Sequence, residues 1–464
     1  MPANLITATS FFVPYAALSN HPSDKNNVGP RIGFAYDVFG TGKTTLRGGY
    51  GLYYGRILNG TILATIFGTG SPNGQFGLAN TKPTAAGAPV FPNPFAAASS
   101  IIPSSFYFAP NLQNPAVHEV DLYLQQVVGK GTVAQIGYLG ALGRTLPNFL
   151  DTNLAPPEDT ETVTVGVPTN ASFGSGPLPV GSTYTVPTFG TCTASATCPY
   201  PTGYINPNFT NITEVISNVN SSYNALTFDI TNRGFHGLAF DANYVWSHAL
   251  DYNQNASSGT STNSWENPYA SARANYGTSQ FNIGNRFVAW VTYTTPDMHF
   301  AGKLMALNYL TNGWSLNDSF SMQNGLPFSG TLSSGFNSAA ALNATWNGVP
   351  SVTYIPGGKY GPGTGINAYQ VPRAIVDDVR LQKAFKVMEK YNLQLSADMY
   401  NVANHENFST TDYSAAQYKF SSNGVLQYQS KTAPNVGFLS HSTSNDSGFL
   451  YIPREFQVMA RLEF

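Results

Sequence analysis

The sequence has few charged residues, few cysteines and no long apolar run. Only 10% of its 464 residues are charged, whereas an ordinary soluble domain has about 25%. The net charge of −2 excludes the basic surface with which proteins bind nucleic acid. No stretch reaches the roughly 18 consecutive apolar residues that a membrane-spanning helix requires. Membrane-spanning strands stay compatible with the sequence, because each needs only about 10 residues of alternating character.

The motifs of common enzyme classes are also absent. Gly42-Lys43-Thr44 is similar to the end of a phosphate-binding loop, but Asp37 stands where that motif requires its first glycine. Neither His-Glu-x-x-His nor Gly-x-Ser-x-Gly occurs, and the seven histidines are scattered. Asp377 and Asp378 are adjacent and therefore point to opposite faces of a strand. We predict that the protein is not an enzyme and that it uses no cofactor or metal ion.

The only two cysteines, Cys192 and Cys198, lie close together in the segment Cys-Thr-Ala-Ser-Ala-Thr-Cys. This spacing is compatible with half of a metal site, but no second cysteine or histidine pair lies nearby. A small disulfide loop in an oxidising compartment explains the spacing better, and we predict that bond. The N-terminal residues lack the basic and apolar regions of a signal peptide. Because an exported protein needs one, we expect this chain to be part of a longer protein.

Strict alternation of apolar and polar residues is the main positive signal. In the last ten residues, Phe456, Val458, Ala460, Leu462 and Phe464 share one face of a predicted strand, and polar residues dominate the other face. Similar alternation predicts strands around residues 32–36, 46–52, 119–125, 134–138, 226–230, 238–246, 286–293, 314–322, 379–386 and 391–399. One more strand near residues 6–15 would give about twelve, an even number as in bacterial membrane barrels.

The lengths of the connections separate a barrel from a soluble sandwich. Short turns at 39–43, 129–130, 233–237 and 388–390 alternate with long stretches at 55–113, 141–215, 248–281, 325–373 and 404–453. Counting back from the last strand, every long stretch falls on the same side, which a sandwich would not require. One turn-side connection, 296–313, is longer, and residues 304–310 are predicted to form a helical turn. We predict an all-β, antiparallel transmembrane β-barrel with long external loops and short periplasmic turns.

Two groups of side chains have a predicted place in such a barrel. Arg47, Arg286, Arg380 and Arg461 all fall on polar strand faces, so we expect them to face the lumen. Aromatic residues near strand ends are typical of the two boundaries between lipid and water. The residues predicted for these girdles are Tyr53, Tyr54, Trp246, Trp290, Trp314 and Tyr400.

Several of these segments together resemble one known family. The stretches 30–54, 244–251, 312–328, 393–408 and 461–464 look like successive strands of Oar-type TonB-dependent receptors, in the order that this family has. The resemblance covers about residues 20–464. It implies a bacterial outer-membrane receptor with a barrel of about 22 strands, an N-terminal plug and energy supplied through TonB. It also implies that Phe456, Val458, Leu462 and the terminal Phe464 form the signal read by the barrel assembly machinery.

The resemblance covers only part of a receptor, because no plug, TonB box or first half of the barrel is found. We therefore expect residues 1–29 to be an N-terminal segment with a truncated barrel strand or loop, and residues 30–464 to be the C-terminal part of the barrel. Outer-membrane lipid and an unknown small-molecule, glycan or peptide ligand are the expected partners, with the TonB complex reached through the missing plug. A passive porin-like channel and a secreted β-rich adhesin or glycan-binding protein are the alternatives.

Overall fold

The computed structural model describes most of the chain but not every loop. The described residues are 23–68, 104–168, 178–188, 204–252, 265–332, 366–405, 407, 417–429 and 453–464, except for 130, 158, 207–208, 210, 266, 305, 330, 389–390 and 421–424. The predicted strand near residues 6–15 and both cysteines lie outside the described residues.

Eleven strands form one antiparallel meander, in which each strand pairs with the next one in the order. They are β1 (Arg31–Asp37), β2 (Thr44–Tyr54), β3 (Ala116–Gly129), β4 (Thr132–Asp151), β5 (Ile212–Phe235), β6 (Leu238–Asp251), β7 (Asn285–Thr294), β8 (Trp314–Gln323), β9 (Ala374–Met388), β10 (Tyr391–Tyr400) and β11 (Glu455–Glu463). Each contains one of the predicted alternating segments, so the strand predictions are confirmed. In the part of the chain described, no strand pairs with the outer edge of β1 or of β11.

The strand directions place the short connections at one end of the sheet. Because neighbouring strands are antiparallel, the connections after β1, β3, β5, β7 and β9 share the end at which β11 finishes. The turn after β1 shows how the sequence makes such a tight connection. Gly40 and Gly42 have φ values of 67° and 69°, which favour glycine, and the Asp37 carboxylate accepts a 2.6 Å hydrogen bond from the Gly42 amide. The predicted separation of short turns from long loops is confirmed.

Helices are few and short. Helix α1 covers Asn59–Phe67, helix α2 covers Ala306–Thr311, and 3₁₀ turns occupy Ala272–Asn275 and Gly302–Leu304. Helix α2 and the preceding 3₁₀ turn confirm the helical turn predicted at residues 304–310. Among the described residues, no helix has both the length and the apolar character needed to cross a membrane.

The long-loop end carries additional structure, which we call the external layer. Strands β4 and β5 continue into it with 20 and 24 residues, and Ser105–Phe108 pairs parallel with β5. Smaller pairings are Asp159–Thr164 with Thr183–Thr188, Gly277–Thr278 with β6, Pro327–Phe328 with Tyr369–Gln370, and Thr331–Leu332 with Gln417–Phe420 and then Leu426–Gln429. The loop predicted at 141–215 is therefore wrong at both ends, since strand pairing continues to Asp151 and resumes at Ile212.

Burial is distributed unusually between the sheet and the external layer. The buried apolar clusters lie in the external layer, where Phe149 packs with Phe108, Leu112 and Val215, and Trp265 packs with Leu146 and Val219. The apolar face of the meander is instead exposed, for example Ile32 at 75% and Val458 at 68%. Exposed apolar surface of this extent marks contact with a protein partner or a membrane.

Candidate functional site

The four predicted arginines lie on one face of the sheet. Residues directly opposite each other on paired strands point to the same side, so the register can be followed from strand to strand. Arg47 is opposite Tyr123, Arg286 is opposite Val245, and Arg380 is opposite Asn317 and Asp398. Arg461 is opposite Gln394. All four arginines belong to the polar face, as predicted.

A lateral chain of polar contacts crosses the first half of this face. The Arg47 guanidinium lies 5.5 Å from the ring centre of Tyr123 and donates to Gln135 at 2.5 Å. Gln135 donates to Asp229 at 3.4 Å, and Asp229 accepts a further hydrogen bond from Asn243. These residues come from five neighbouring strands, β2 to β6. The contacts fix side chains across the sheet while leaving donors and acceptors at its surface.

A second polar cluster lies on the later strands of the same face. Arg380 binds Asp398 through two hydrogen bonds, in the paired geometry that guanidinium and carboxylate groups favour. Thr292 donates to Asn317 at 2.9 Å, and Asn317 donates to Ser315 at 3.3 Å. At the turn end, Glu463 accepts hydrogen bonds from Asn392 and Gln394. Hydrogen bonds between side chains thus organise the polar face along the meander.

On strands β1 and β2, glycines leave part of the polar face without side chains. This patch was not predicted from the sequence. Gly33 lies opposite Gly49, and Arg31 lies opposite Gly51, all on the polar face. Arg31 stacks 4.5 Å above the Tyr53 ring. Together with Glu119 and Asp121, these residues line a depression of 320 Å³. The glycine spacing of two residues was the available signal, because glycines at alternate positions remove side chains from one face only.

Three charged residues lie on the apolar face of strands β8 and β9. Asp318 lies opposite Val379, Asp377 lies opposite Phe320, and Lys383 lies opposite Trp314. Asp378 points to the other face, where its carboxylate accepts the Asn401 amide, so the prediction that Asp377 and Asp378 face opposite ways is confirmed. Asp318 and Lys383 interrupt the alternation of apolar and polar residues in the sequence, but their surroundings depend on the fold.

Aromatic side chains form only part of the predicted girdles. Trp246 and Trp314 lie on the apolar face at opposite ends of the strands. Near the external end, Tyr50, Tyr138 and Tyr244 lie on this face and hydrogen-bond to His118, Asn224 and Asn285. The prediction is wrong for Tyr53, Trp290 and Tyr400, which point to the polar face: Tyr53 stacks under Arg31, Trp290 lies opposite Ser319, and Tyr400 lies opposite Glu455.

The apolar band has a height suited to a membrane. On β6, the apolar face extends from Leu238 to Trp246, which is about 27 Å along the strand. At the usual tilt of about 40° this corresponds to roughly 20 Å across the bilayer, close to the band of about 25 Å in outer-membrane barrels.

The external layer holds a buried polar cluster. The Tyr107 hydroxyl hydrogen-bonds to Thr152 at 3.2 Å, and the Asp151 carboxylate accepts the amides of Asn153 and Ile212. Burial raises the pKa of Tyr107 and also the pKa of Glu214, which lies directly opposite on the paired strand. Across the described part of the chain, no group of three or more His, Cys, Asp or Glu residues is arranged to hold a metal ion.

A sheet with one exposed apolar face, one polar face and tight turns gathered at one end defines the wall of an outer-membrane β-barrel. A family model agrees with this class. The chain belongs to the family described as "Outer membrane beta barrel domain", whose model matches residues 7–457. The protein is accordingly assigned to the outer membrane.

The solved structures with similarity to the chain include three that each have low sequence identity to it. The outer membrane transporter YddB from Escherichia coli is 13% identical, with a TM-score of 0.43, over 87% of this chain and 39% of that one. The ferripyoverdine receptor of Pseudomonas aeruginosa is 9% identical, with a TM-score of 0.38, over 94% and 32%. The FrpB iron transporter from Neisseria meningitidis is 10% identical, with a TM-score of 0.38, over 82% and 36%. The chain therefore spans less than two fifths of the length of each. No curated protein sequence matches it.

Proposed function

We propose that this chain forms part of the wall of a TonB-dependent outer-membrane receptor, which captures a ligand with its external layer and passes it through the lumen. The observation that carries the proposal is the pairing of a polar inner face with an external layer that has its own hydrophobic core. The Oar-type resemblance in the sequence is consistent with this function and remains a prediction.

The ordered external layer favours a receptor over a passive channel. Val215 and Val219 are fully buried, and Phe149 is only 2% exposed, so this layer packs like a folded domain. A binding surface must hold its contact residues in fixed positions, because ordering them upon binding would reduce the affinity. A passive pore needs only an open lumen.

The polar face fits the passage of a polar ligand with little net charge. Arg380 is paired with Asp398, and Arg47 is held by Gln135 and Tyr123. Such a face offers alternating donors and acceptors, as a glycan, a peptide or a chelated small molecule requires. The four arginines are proposed to face this lumen.

The two edge strands of the sheet indicate that further strands complete the barrel wall. Strands β1 and β11 are largely exposed on both faces, and unpaired backbone groups in lipid cost several kcal/mol each. We therefore propose that the functional barrel contains further strands between these two edges. Phe456, Val458 and Leu462 on β11 and Phe464 directly after it are proposed to form the assembly signal. The first three are exposed and lie on the apolar face.

Uptake measurements test this function. The complete protein that carries this chain is expressed in a bacterial strain without its own receptors, and accumulation of candidate siderophores, glycans and peptides is followed with TonB present or absent. We expect uptake of one ligand class that requires TonB. Diffusion of many small solutes at the same rate with or without TonB would show a passive channel instead.

A further inference from the structure

The connection between β7 and β8, residues 295–313, is the longest at the turn end of the sheet, and we call it the turn-side loop. Two asparagines organise it. The Asn308 side chain accepts from the Phe300 amide at 2.7 Å and donates to the Phe300 carbonyl at 2.9 Å. Asn312 does the same with Met298, at 2.9 Å and 2.7 Å. Each asparagine therefore satisfies both backbone groups of one residue, which gives the loop a defined shape.

Two side chains hold this loop on the apolar side of the sheet. Trp314 and Lys383 lie opposite each other on the apolar face. The Trp314 indole donates to the Leu310 carbonyl at 2.7 Å, and the Lys383 ammonium donates to the carbonyls of Asn312 and Leu310. Both acceptors lie at the C-terminal end of α2, where a cation is favoured.

The position of Lys383 would be unfavourable without the loop. A lysine that points to the apolar face of a membrane sheet must reach polar groups or pay a large cost. Lys383 is only 6% exposed, and its ammonium lies 5.2 Å from the ring centre of Trp314 and 5.1 Å from that of Phe385. The carbonyls of the loop and the two aromatic faces thus replace water around this charge.

The loop presents apolar side chains to its surroundings. Met298, Leu304, Leu307, Tyr309 and Leu310 are all exposed, and Leu310 and Tyr309 reach 65% and 62%. Burial of apolar side chains is favourable in water, yet these side chains are exposed on an ordered element. Trp314, which holds the loop, belongs to the apolar face that is exposed along the rest of the sheet.

We propose that the turn-side loop is a membrane anchor whose exposed apolar side chains insert into the phospholipid leaflet at the turn end of the barrel. Continuity with the lipid-facing side of the sheet identifies phospholipid as the occupant of this surface. Helix α2 and its flanks lie at the boundary between head groups and acyl chains, as interfacial apolar segments do. Lys383 is a positioning residue that fastens the anchor to the sheet. This inference does not depend on the ligand or on TonB.

The test places an environment-sensitive fluorophore on the loop. The complete protein that carries this chain, with Cys192, Cys198 and any other native cysteine replaced by serine, receives the substitution Leu310→Cys. It is labelled with a nitrobenzoxadiazole dye and is reconstituted into phosphatidylethanolamine–phosphatidylglycerol vesicles. Thr41→Cys, in the tight turn after β1 at the same end, is the matched control. Quenching is measured with a lipid nitroxide placed near the head group and with iodide in water.

We expect the lipid nitroxide to quench the dye at position 310 several-fold more than at position 41, with the opposite order for iodide. Efficient iodide quenching at both positions would overturn the proposal. If the dye at position 310 is protected from both quenchers and the protein forms dimers at low detergent concentration, the proposal is wrong. A second copy of the protein would then cover the loop. Lys383→Met should increase iodide quenching at position 310; if this variant does not fold, the comparison between positions 310 and 41 still decides.

Discussion

The guanidinium of Arg380 and the carboxylate of Asp398 face each other across β9 and β10, at 2.6 Å and 2.9 Å. The two partners differ in exposure, since the side chain of Arg380 is 44% exposed and that of Asp398 only 5%. The pair is therefore asymmetric: the cation can also reach water, whereas the anion depends on its partner.

This asymmetry predicts unequal effects of two substitutions. Arg380→Met keeps most of the side-chain volume but leaves the covered carboxylate without its donors, so we expect the free energy of unfolding to fall by about 1–3 kcal/mol. Asp398→Asn should cost less, because Arg380 can turn to water. Urea unfolding in detergent micelles, followed by tryptophan fluorescence, measures both values. A larger loss for Asp398→Asn than for Arg380→Met would show that the asymmetry has no energetic consequence.

The two faces of the sheet should respond differently to an added charge. Leu381 lies on the apolar face between Leu316 and Ala397, and Leu381→Arg should cost about 2–4 kcal/mol if this site is near the bilayer midplane. Ser319→Arg is the control on the polar face, opposite Asp378 and Trp290, and should cost much less. Folding yields into lipid vesicles at increasing urea compare the two variants. Equal losses would mean that the assignment of the faces is wrong.

The external layer should be more stable at mildly acidic pH. Burial raises the pKa of Glu214 in the folded protein, so the folded state holds this proton at a pH where the unfolded state has lost it. The contribution of Glu214 to stability is therefore complete below the ordinary carboxyl pKa and is lost as pH rises through the raised value.

Limited proteolysis of the external layer between about pH 4 and pH 7 checks this direction. We expect cleavage to increase with pH in the native protein, and Glu214→Gln to remove most of that dependence. A protease whose own activity is calibrated at each pH with an unfolded substrate serves as control. An unchanged pH profile in the variant would assign the effect to other groups.

The core of the external layer should be separable from the membrane strands. Phe149 is 2% exposed and packs on Phe108 and Val215, so Phe149→Ala should cost about 3–5 kcal/mol. We expect faster proteolysis of the external layer while the membrane-level sheet stays folded. Leu142→Ala, at a position 38% exposed on the same strand, is the control and should change little. Loss of the whole barrel from the membrane in Phe149→Ala would contradict two separable layers.

The sequence predicted a strand correctly where apolar and polar residues alternate regularly along it. The strands at membrane level, such as β6 and β10, have one apolar and one polar face along their length, and this period predicted them. The external part of β4 could not be predicted in this way, because Gly143 and Pro147 interrupt the pattern and register shifts occur between Gly143 and Pro147. Its residues are also buried by loops rather than by one sheet face.

The candidate site was predictable only in part for a related reason. Alternation assigned the four arginines to the polar face, but it could not show which partners they meet. Arg47 donates to Gln135 and Gln135 donates to Asp229, and these partners lie on strands distant in sequence. Lys383 interrupts the alternation of β9 and lies on its apolar face. Its explanation depends on the backbone carbonyls of the turn-side loop, which no sequence pattern reveals. The disulfide between Cys192 and Cys198 stays a prediction that thiol titration of the unreduced protein can test.

Accessibility along β6 in the outer membrane tests the central claim most directly. Single spin labels are placed at each residue from Ala239 to Val245 in the variant without native cysteines, and relaxation by oxygen and by a water-soluble nickel chelate is measured. The account predicts a period of two: labels at Phe240, Ala242 and Tyr244 respond to oxygen, which concentrates in lipid, and labels at Asp241, Asn243 and Val245 respond to the nickel chelate. Equal access of the nickel chelate to both sets of positions would contradict a membrane-embedded barrel wall.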